Sequence, residues 1–466
     1  MNWLERLTLA LYSCAVWSMQ PLVRIKLWRR SLQEPEYGIR VNERFGHYGD
    51  MHSKGWLWVH AVSLGETRAA GVLIAQLRTL RPGLKLLLTH GTASGWIAGR
   101  SILKPGDRQE WFPWDTKGAT ERFLNHFRPA AGLMMETEVW PNMVHACLRH
   151  GTPLILVNAR KSQRSFTAAR RKRWLAEPAY RSLTAVIAQG SADETKLAAL
   201  GAKVVGVFGN VKFDAEPTPE QLVQGKAWRR LSCRPVLMLA SSRDGEEAAL
   251  IDALSSRQGS RSRVSPSALG RQILVVPRHT QRAEELADKF RSAGFTVSCR
   301  SQWRDKPLDA DVWLGDTMGE LPLYYAMSDV ALLGGSFERF GGQNLIEAAA
   351  CGCPIVLGPH TFNFDEAARW ALSAGAARRA SDIRNAVDQA IDWMERTEDL
   401  TAARRHCLEF AGAHHGAARH TAEAIFALLA PPSNGSTAAR STGYARPDPD
   451  LNARVNMPVA HQMGAS

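Results

Sequence analysis

Between residues 56 and 358 the chain alternates short, unbroken apolar runs with longer stretches of helical period. A strand that is apolar on both sides has no face to offer water, so it must lie inside a parallel sheet covered by helices above and below. The first series of such runs is Trp56–Ser63, Lys85–His90, Gly132–Glu136, Leu154–Asn158, Ala185–Gln189 and Val204–Gly209. The second is Val236–Ser241, Gln272–Pro277, Asp311–Gly315, Val330–Gly334 and Pro354–Gly358. Two series predict two doubly wound α/β domains, over 31–209 and 233–430. A polar linker over 210–232 would join them, beginning NVKFDAEPTPEQL. A chain of 466 residues has room for both.

The two ends read differently. Leu7 to Met19 is almost wholly apolar, and Pro21 and the cations Arg24, Lys26, Arg29 and Arg30 follow. The run is shorter than the ~20 residues of a spanning helix. The basic cluster follows the apolar run, whereas a secretory signal has it in front. Residues 1–30 are therefore expected to form a membrane anchor or interfacial helix, with Trp3, Trp17 and Trp28 near the headgroups. Packing of this helix against the first domain is the alternative. Residues 255–271 read as a surface insertion, and 431–466 as a disordered tail poor in apolar period. The formal charge of +13 favours an anionic partner: a phosphorylated substrate, a membrane surface or nucleic acid. Seven scattered cysteines, with no CxxC pair, read as reduced thiols in a cytosolic compartment.

Open parallel sheets bind ligands beyond the carboxyl ends of their strands. Unusual loop chemistry stands there: HAVSLGE, METEVWPN and NARKSQRS in the first series, and ASSRDGEE, PRHTQR, GDTMGE, LGGSFERFGGQN and GPHTFNF in the second. Met318–Gly319–Glu320 and Gln343–Asn344 stand at helix starts, where free N–H groups can receive an anion. Gly341 and Gly342 allow a ligand close to the backbone, and Glu347 lies one helical turn beyond Asn344, placed to hold ribose hydroxyls. Arg278 can grip a phosphate or carboxylate. Neither GxGxxG nor a P-loop is present, so this is not a dinucleotide or P-loop site. In the first series Glu136 and Glu138 stand together at a strand end. Upstream, Glu43 is a carboxylate able to deprotonate an alcohol if it faces a cleft.

These segments together resemble the Kdo (3-deoxy-D-manno-octulosonic acid) transferase family of lipopolysaccharide biosynthesis. The matching pieces are ERFG, WVHAVSLGE, ETEVWPN, NAR, GNVKFD, ASSRDGEE, PRH, GDTMGEL, GGSFERFGGQN and GPHTFNF, in order from about residue 43 to 364. The resemblance implies a GT-B glycosyltransferase: two Rossmann-like domains, a cleft between them and an N-terminal membrane anchor helix. It implies inverting transfer of Kdo from CMP-Kdo to a hydroxyl of the tetraacylated, bisphosphorylated lipid A precursor. The site would be the cytoplasmic face of the inner membrane, with neither divalent metal nor cofactor. By that resemblance Glu43 is the catalytic base. Pro277, Arg278, Met318, Gly319, Glu320, Asn344 and Glu347 form the nucleotide-sugar site. Ser63, Gly65, Glu136, Glu138, Arg160 and Lys212 are candidates for the acceptor or the Kdo carboxylate. Two departures stand out: GGQN where the family has GGHN, and PRHTQR where it has PRHPERF.

Two other readings share the fold or the charge. One is a GT-B-like enzyme of another class, a UDP-sugar transferase or epimerase. The other is a basic membrane or nucleic-acid adaptor without activity. No aromatic-rich RNA-binding motif or zinc-finger spacing is present, so no nucleic-acid partner is expected.

Overall fold

The computed structural model describes residues 3–49, 54–214, 216–256, 270–413 and 415–430. Residues 257–269 of the expected insertion, and the expected tail 431–466, lie outside the described residues. The chain divides into two compact units. The first runs to Asp214 and resumes at Gly416; the second is the stretch between.

The first unit is built on a parallel sheet of seven strands: β1 (Leu57–His60), β2 (Leu86–His90), β3 (Arg108–Trp111), β4 (Ala131–Met135), β5 (Leu154–Ala159), β6 (Ala185–Ala188) and β7 (Val204–Val207). Their order is β3-β2-β1-β4-β5-β6-β7, so the winding reverses between β1 and β4. Side chains alternate between the two faces. Leu57 and Val59 join Leu73, Ile74 and Leu77 of the helix Leu64–Leu80 on one side. Trp58 between them joins Phe123, Phe127 and Met134 on the other. The second unit repeats the plan with β8 (Val236–Ser242), β9 (Gln272–Pro277), β10 (Val297–Cys299), β11 (Val312–Leu314), β12 (Val330–Leu333), β13 (Ile355–Leu357) and β14 (Ala377–Arg379). The order β10-β11-β9-β8-β12-β13-β14 puts its switch point between β8 and β12. The eleven apolar runs all become strands. The strands without a sequence signal, β3, β10 and β14, are sheet edges. An edge strand buries less, and Arg108 and Arg379 there are not buried.

The boundaries differ from the expected ones. Val211–Asp214 packs into the first unit, where Val211 and Phe213 are buried. The expected linker contains the helix Pro219–Leu231, whose Trp228 is buried in the second unit. The last helix, Ala417–Leu429, is not part of the second domain. It packs on Leu64–Leu80 in the first unit, burying Ala418, Ala422 and Ile425. The Asp214 carboxylate accepts from the N–H groups of Gly416 (2.7 Å) and Ala418 (2.5 Å), tying the two crossings together.

At the N-terminus, Met19 separates two helices, Trp3–Ser18 and Gln20–Ser31. A spanning anchor is not supported: among the described residues no helix is long and apolar enough to cross a membrane. The first helix meets the unit with polar groups. The Tyr12 hydroxyl donates to Asp115 (2.8 Å), Ser13 to Asn142 (2.7 Å), and Glu5 pairs with Arg181 (2.6 Å). Its apolar residues Trp3, Leu7, Leu11 and Trp17 remain exposed. All seven cysteines are free thiols.

Two histidines at the ends of β1 and β2 are fully buried. His60 stacks on Phe112 with ring centroids 3.8 Å apart, and His90 Nδ1 lies 3.0 Å from the Ala61 carbonyl. Loss of water pushes His60 down to about 3 and His90 to about 4. Unfolded, both would take a proton near pH 6.5. The unfolded state therefore binds more protons below that pH, and their contribution to stability is lost as pH falls towards 4 and 3. Urea midpoints of the first unit should fall over that window, and His60→Asn, which cannot be protonated, should flatten the acid slope.

Candidate active site

Most of the polar groups singled out from the sequence lie in the loops at the carboxyl ends of the two sheets. In the first unit Glu136 follows β4. Its carboxylate is 2% exposed and accepts from Arg160 Nε (2.7 Å) and Lys212 Nζ (2.5 Å). Burial would raise this carboxyl, but the two cations overrule it and hold it below the usual range. Arg160 follows β5 and Lys212 follows β7, so three strand ends meet at one carboxylate. Glu138 accepts from Trp140 Nε1 (2.8 Å), and burial pushes its carboxyl up. Ser63 caps the helix Leu64–Leu80 through the Glu66 N–H, and space is open beside Gly65.

Glu66 is a member of this cluster that the sequence reading did not single out. Its side chain accepts from the Val62 N–H (2.8 Å). Burial, with the charges of Glu138 and Glu136, raises it to about 7. The signal in the sequence was Ser63-x-x-Glu66, which reads as an ordinary capping box.

Glu43 lies against the end of the edge strand β3. It is 4% exposed in the short turn Val41–Phe45. One oxygen accepts from the Trp111 N–H (3.0 Å); the other pairs with Arg40 Nε (3.1 Å). Arg40 also pairs with Glu110 (2.9 Å), which Arg108 holds from the other side (2.7 Å). Burial first, then the neighbouring Glu110 charge, pushes Glu43 up to about 8. Glu110 had no sequence signal because β3 itself had none.

In the second unit, Pro277 ends β9 and the Arg278 N–H donates to the Ser242 carbonyl (3.1 Å). Met318 is 76% exposed, and Gly319 adopts φ +82°. Glu320 pairs with Arg300 (2.8 Å) and accepts from the Thr317 hydroxyl. Asn344 caps the helix Leu345–Ala350, accepting from the Ile346 N–H (3.1 Å), with Glu347 in its first turn. The glycine pair is explained in part by packing. A Cβ on Gly341 would lie 2.5 Å from Asn363 and Phe362, so the 360–364 loop needs a glycine there.

Two carboxylates in ASSRDGEE hold these loops. Glu246 is fully buried and accepts from the N–H groups of Arg243 (2.9 Å), Gly335 (2.8 Å) and Phe337 (3.1 Å). It thereby joins the turn after β8 to the turn after β12. Glu247 accepts from Ser242 (2.7 Å) and Arg282 (3.0 Å). Five non-glycine residues have positive φ among those described, and Arg40, Glu136, Asn158 and Ser241 are four of them. Such conformations cost about 1–3 kcal/mol each and persist where surroundings enforce them. Here they lie in the clusters just described or beside them. Glu246→Ala would strand three N–H groups, that of Gly335 buried and those of Arg243 and Phe337 partly so, and should cost about 3 kcal/mol in denaturant unfolding of the second unit.

Residues 39–215 match the 3-deoxy-D-manno-octulosonic-acid transferase (kdotransferase) family. A 3-deoxy-D-manno-octulosonic acid transferase of Bordetella pertussis is 42% identical over 427 residues, covering 89% of this chain and 98% of that protein. A protein of the same name from Haemophilus influenzae is 30% identical, covering 82% of this chain and 89% of its own. Among solved structures, a glycosyltransferase from Rickettsia africae superposes with a TM-score of 0.52 at 12% identity, covering 82% of this chain and all of its own, which is a likeness of fold. With two parallel-sheet α/β units and this identity along nearly its whole length, the chain belongs to the 3-deoxy-D-manno-octulosonic acid transferase family of glycosyltransferases.

Proposed function

We propose that this glycosyltransferase moves Kdo from CMP-Kdo to a hydroxyl of the tetraacylated, bisphosphorylated lipid A precursor, as a two-domain enzyme of the GT-B class. The observation that carries this reading is the 42% identity over 98% of the Bordetella transferase. The first unit would receive the acceptor around Ser63, Gly65, Glu136, Glu138, Arg160 and Lys212. The second would receive the donor around Pro277, Arg278, Met318, Gly319, Glu320, Asn344 and Glu347. Arg160, Lys212 and Arg278 are the candidates for the Kdo carboxylate, and the first two also share Glu136.

The chemistry is a single displacement. The acceptor oxygen attacks the anomeric carbon as the bond from that carbon to the CMP phosphate oxygen breaks. The acceptor proton passes to Glu43, and CMP leaves with the electron pair. Inversion needs one base and a leaving group, without the second carboxylate nucleophile of retaining enzymes. A base works best with its pKa near the operating pH, and Glu43 is raised to about 8. It acts as the carboxylate, so kcat/KM should rise with pH towards and through about 8. Glu43→Gln should lower transfer at least about 100-fold, the scale of general-base catalysis, and leave CMP-Kdo binding unchanged. Near-normal turnover in that variant, followed by mass spectrometry of the lipid, would remove Glu43 from the role.

The N-terminal helices support docking on the cytoplasmic leaflet of the inner membrane. Trp3, Leu11, Trp17, Leu22 and Trp28 are each more than 60% exposed, and Arg24, Lys26, Arg29 and Arg30 accompany them. An apolar face turned outward beside cations suits an anionic interface, where the helix would lie in the plane without crossing it. Co-sedimentation with anionic vesicles should exceed that with zwitterionic ones and fall with salt. Trp17→Glu combined with Trp28→Glu should abolish it, whereas unchanged sedimentation would exclude this face.

A further inference from the structure

The loop after β8 carries a cation with no role in the reading above. The Arg243 backbone is pinned by Glu246, and its side chain lies between the ends of β9 and β12. Its Nη1 lies 2.9 Å from His279 Nε2, and its guanidinium carbon sits 4.8 Å from the Phe340 ring centroid. Its Nε is buried without a hydrogen-bond partner. Among the described residues no carboxylate forms an ion pair with it, and the three acids of its own loop are engaged elsewhere. Asp244 pairs with Arg282 (2.7 Å), Glu246 holds three backbone N–H groups, and Glu247 holds Ser242 and Arg282.

An arginine donor next to a histidine nitrogen makes that nitrogen the acceptor, so His279 is neutral and carries its proton on Nδ1. The charge on Arg243 is therefore not cancelled, and Arg278 adds a second cation one residue before His279. Gly335, at φ +70°, lets the cluster close up: a Cβ there would lie 3.1 Å from Gln343 Nε2 and 3.7 Å from Arg243 Cγ. Arg243 and Gln343 thus bring N–H donors together, with His279 holding the guanidinium, beside the β8/β12 switch point, the place where an open parallel sheet receives its ligand. Donors of this kind around an uncompensated guanidinium match a phosphate, whose oxygens accept from a planar fork.

We propose that Arg243, oriented by His279, is a donor-binding residue that takes the phosphate of the nucleotide sugar. This rests on the reading of the second unit as the CMP-sugar site. The test is calorimetric binding of CMP and of cytidine to the full chain as wild type, Arg243→Gln and Arg243→Lys, with thermal melts to establish folding. Arg243→Gln should weaken CMP binding by about 10- to 100-fold, the scale of a charged hydrogen bond, and leave cytidine unchanged. Arg243→Lys should fall in between, keeping the charge without the fork. Equal loss for CMP and cytidine would make Arg243 a structural residue and overturn the proposal. Unchanged CMP binding would also overturn it, and a rise in KM for CMP-Kdo alone would then place the guanidinium at the sugar carboxylate. Failure of the wild type itself to bind CMP would take down the donor reading and this proposal together.

Discussion

Parallel strands buried on both faces leave a protein few places for polar chemistry. In each unit the strand interiors are filled with Leu, Val, Ile and Met packed under helices. A charge placed there would have to be neutralised or paired. The strand ends are different, because loops and helix starts bring free backbone N–H groups and room for ligands. The Glu136 and Glu246 clusters sit at such ends, after β4 and β8, the strands that border the β1/β4 and β8/β12 switch points, whereas the Glu43 and Glu110 pairs lie along the edge strand β3. Each unit offers one such sheet end, on its own core.

Buried carboxylates convert those loop ends into defined sites. Glu136 gathers Arg160 and Lys212 from the ends of β5 and β7. Glu246 holds the turns after β8 and β12 by their N–H groups. Asp214 secures the place where the chain leaves and re-enters the first unit. Each acid gains hydrogen bonds to donors that would otherwise be unpaired, which offsets the cost of taking its charge out of water. The same arrangement explains why left-handed backbone is tolerated at Glu136, Asn158 and Ser241, since surrounding bonds hold those residues in place.

Much of this was legible. Continuous apolar runs marked the central strands, and the loops that follow them carried the unusual residues. Three edge strands were not legible, because β3, β10 and β14 are short and only partly buried. Losing β3 also hid Glu110, the neighbour that helps raise Glu43. Glu66 was hidden for another reason: a capping box accounts fully for a glutamate at that spacing. The final helix carried an apolar face in the sequence, but nothing local says which unit that face covers.

The sequence by itself determined the two-sheet α/β class, the family and the loops where charged residues collect, because apolar period and motif spacing are local properties of the chain. Tertiary structure decided which charges meet. Arg160 and Lys212 are 52 residues apart in sequence and share one carboxylate. Arg243 finds His279 across 36 residues and remains without an acid partner among those described. It also decided that the apolar faces of the N-terminal helices point outward. Coulomb energy and desolvation depend on distance and burial in space, and neither quantity exists until the strands have taken their order in the sheets.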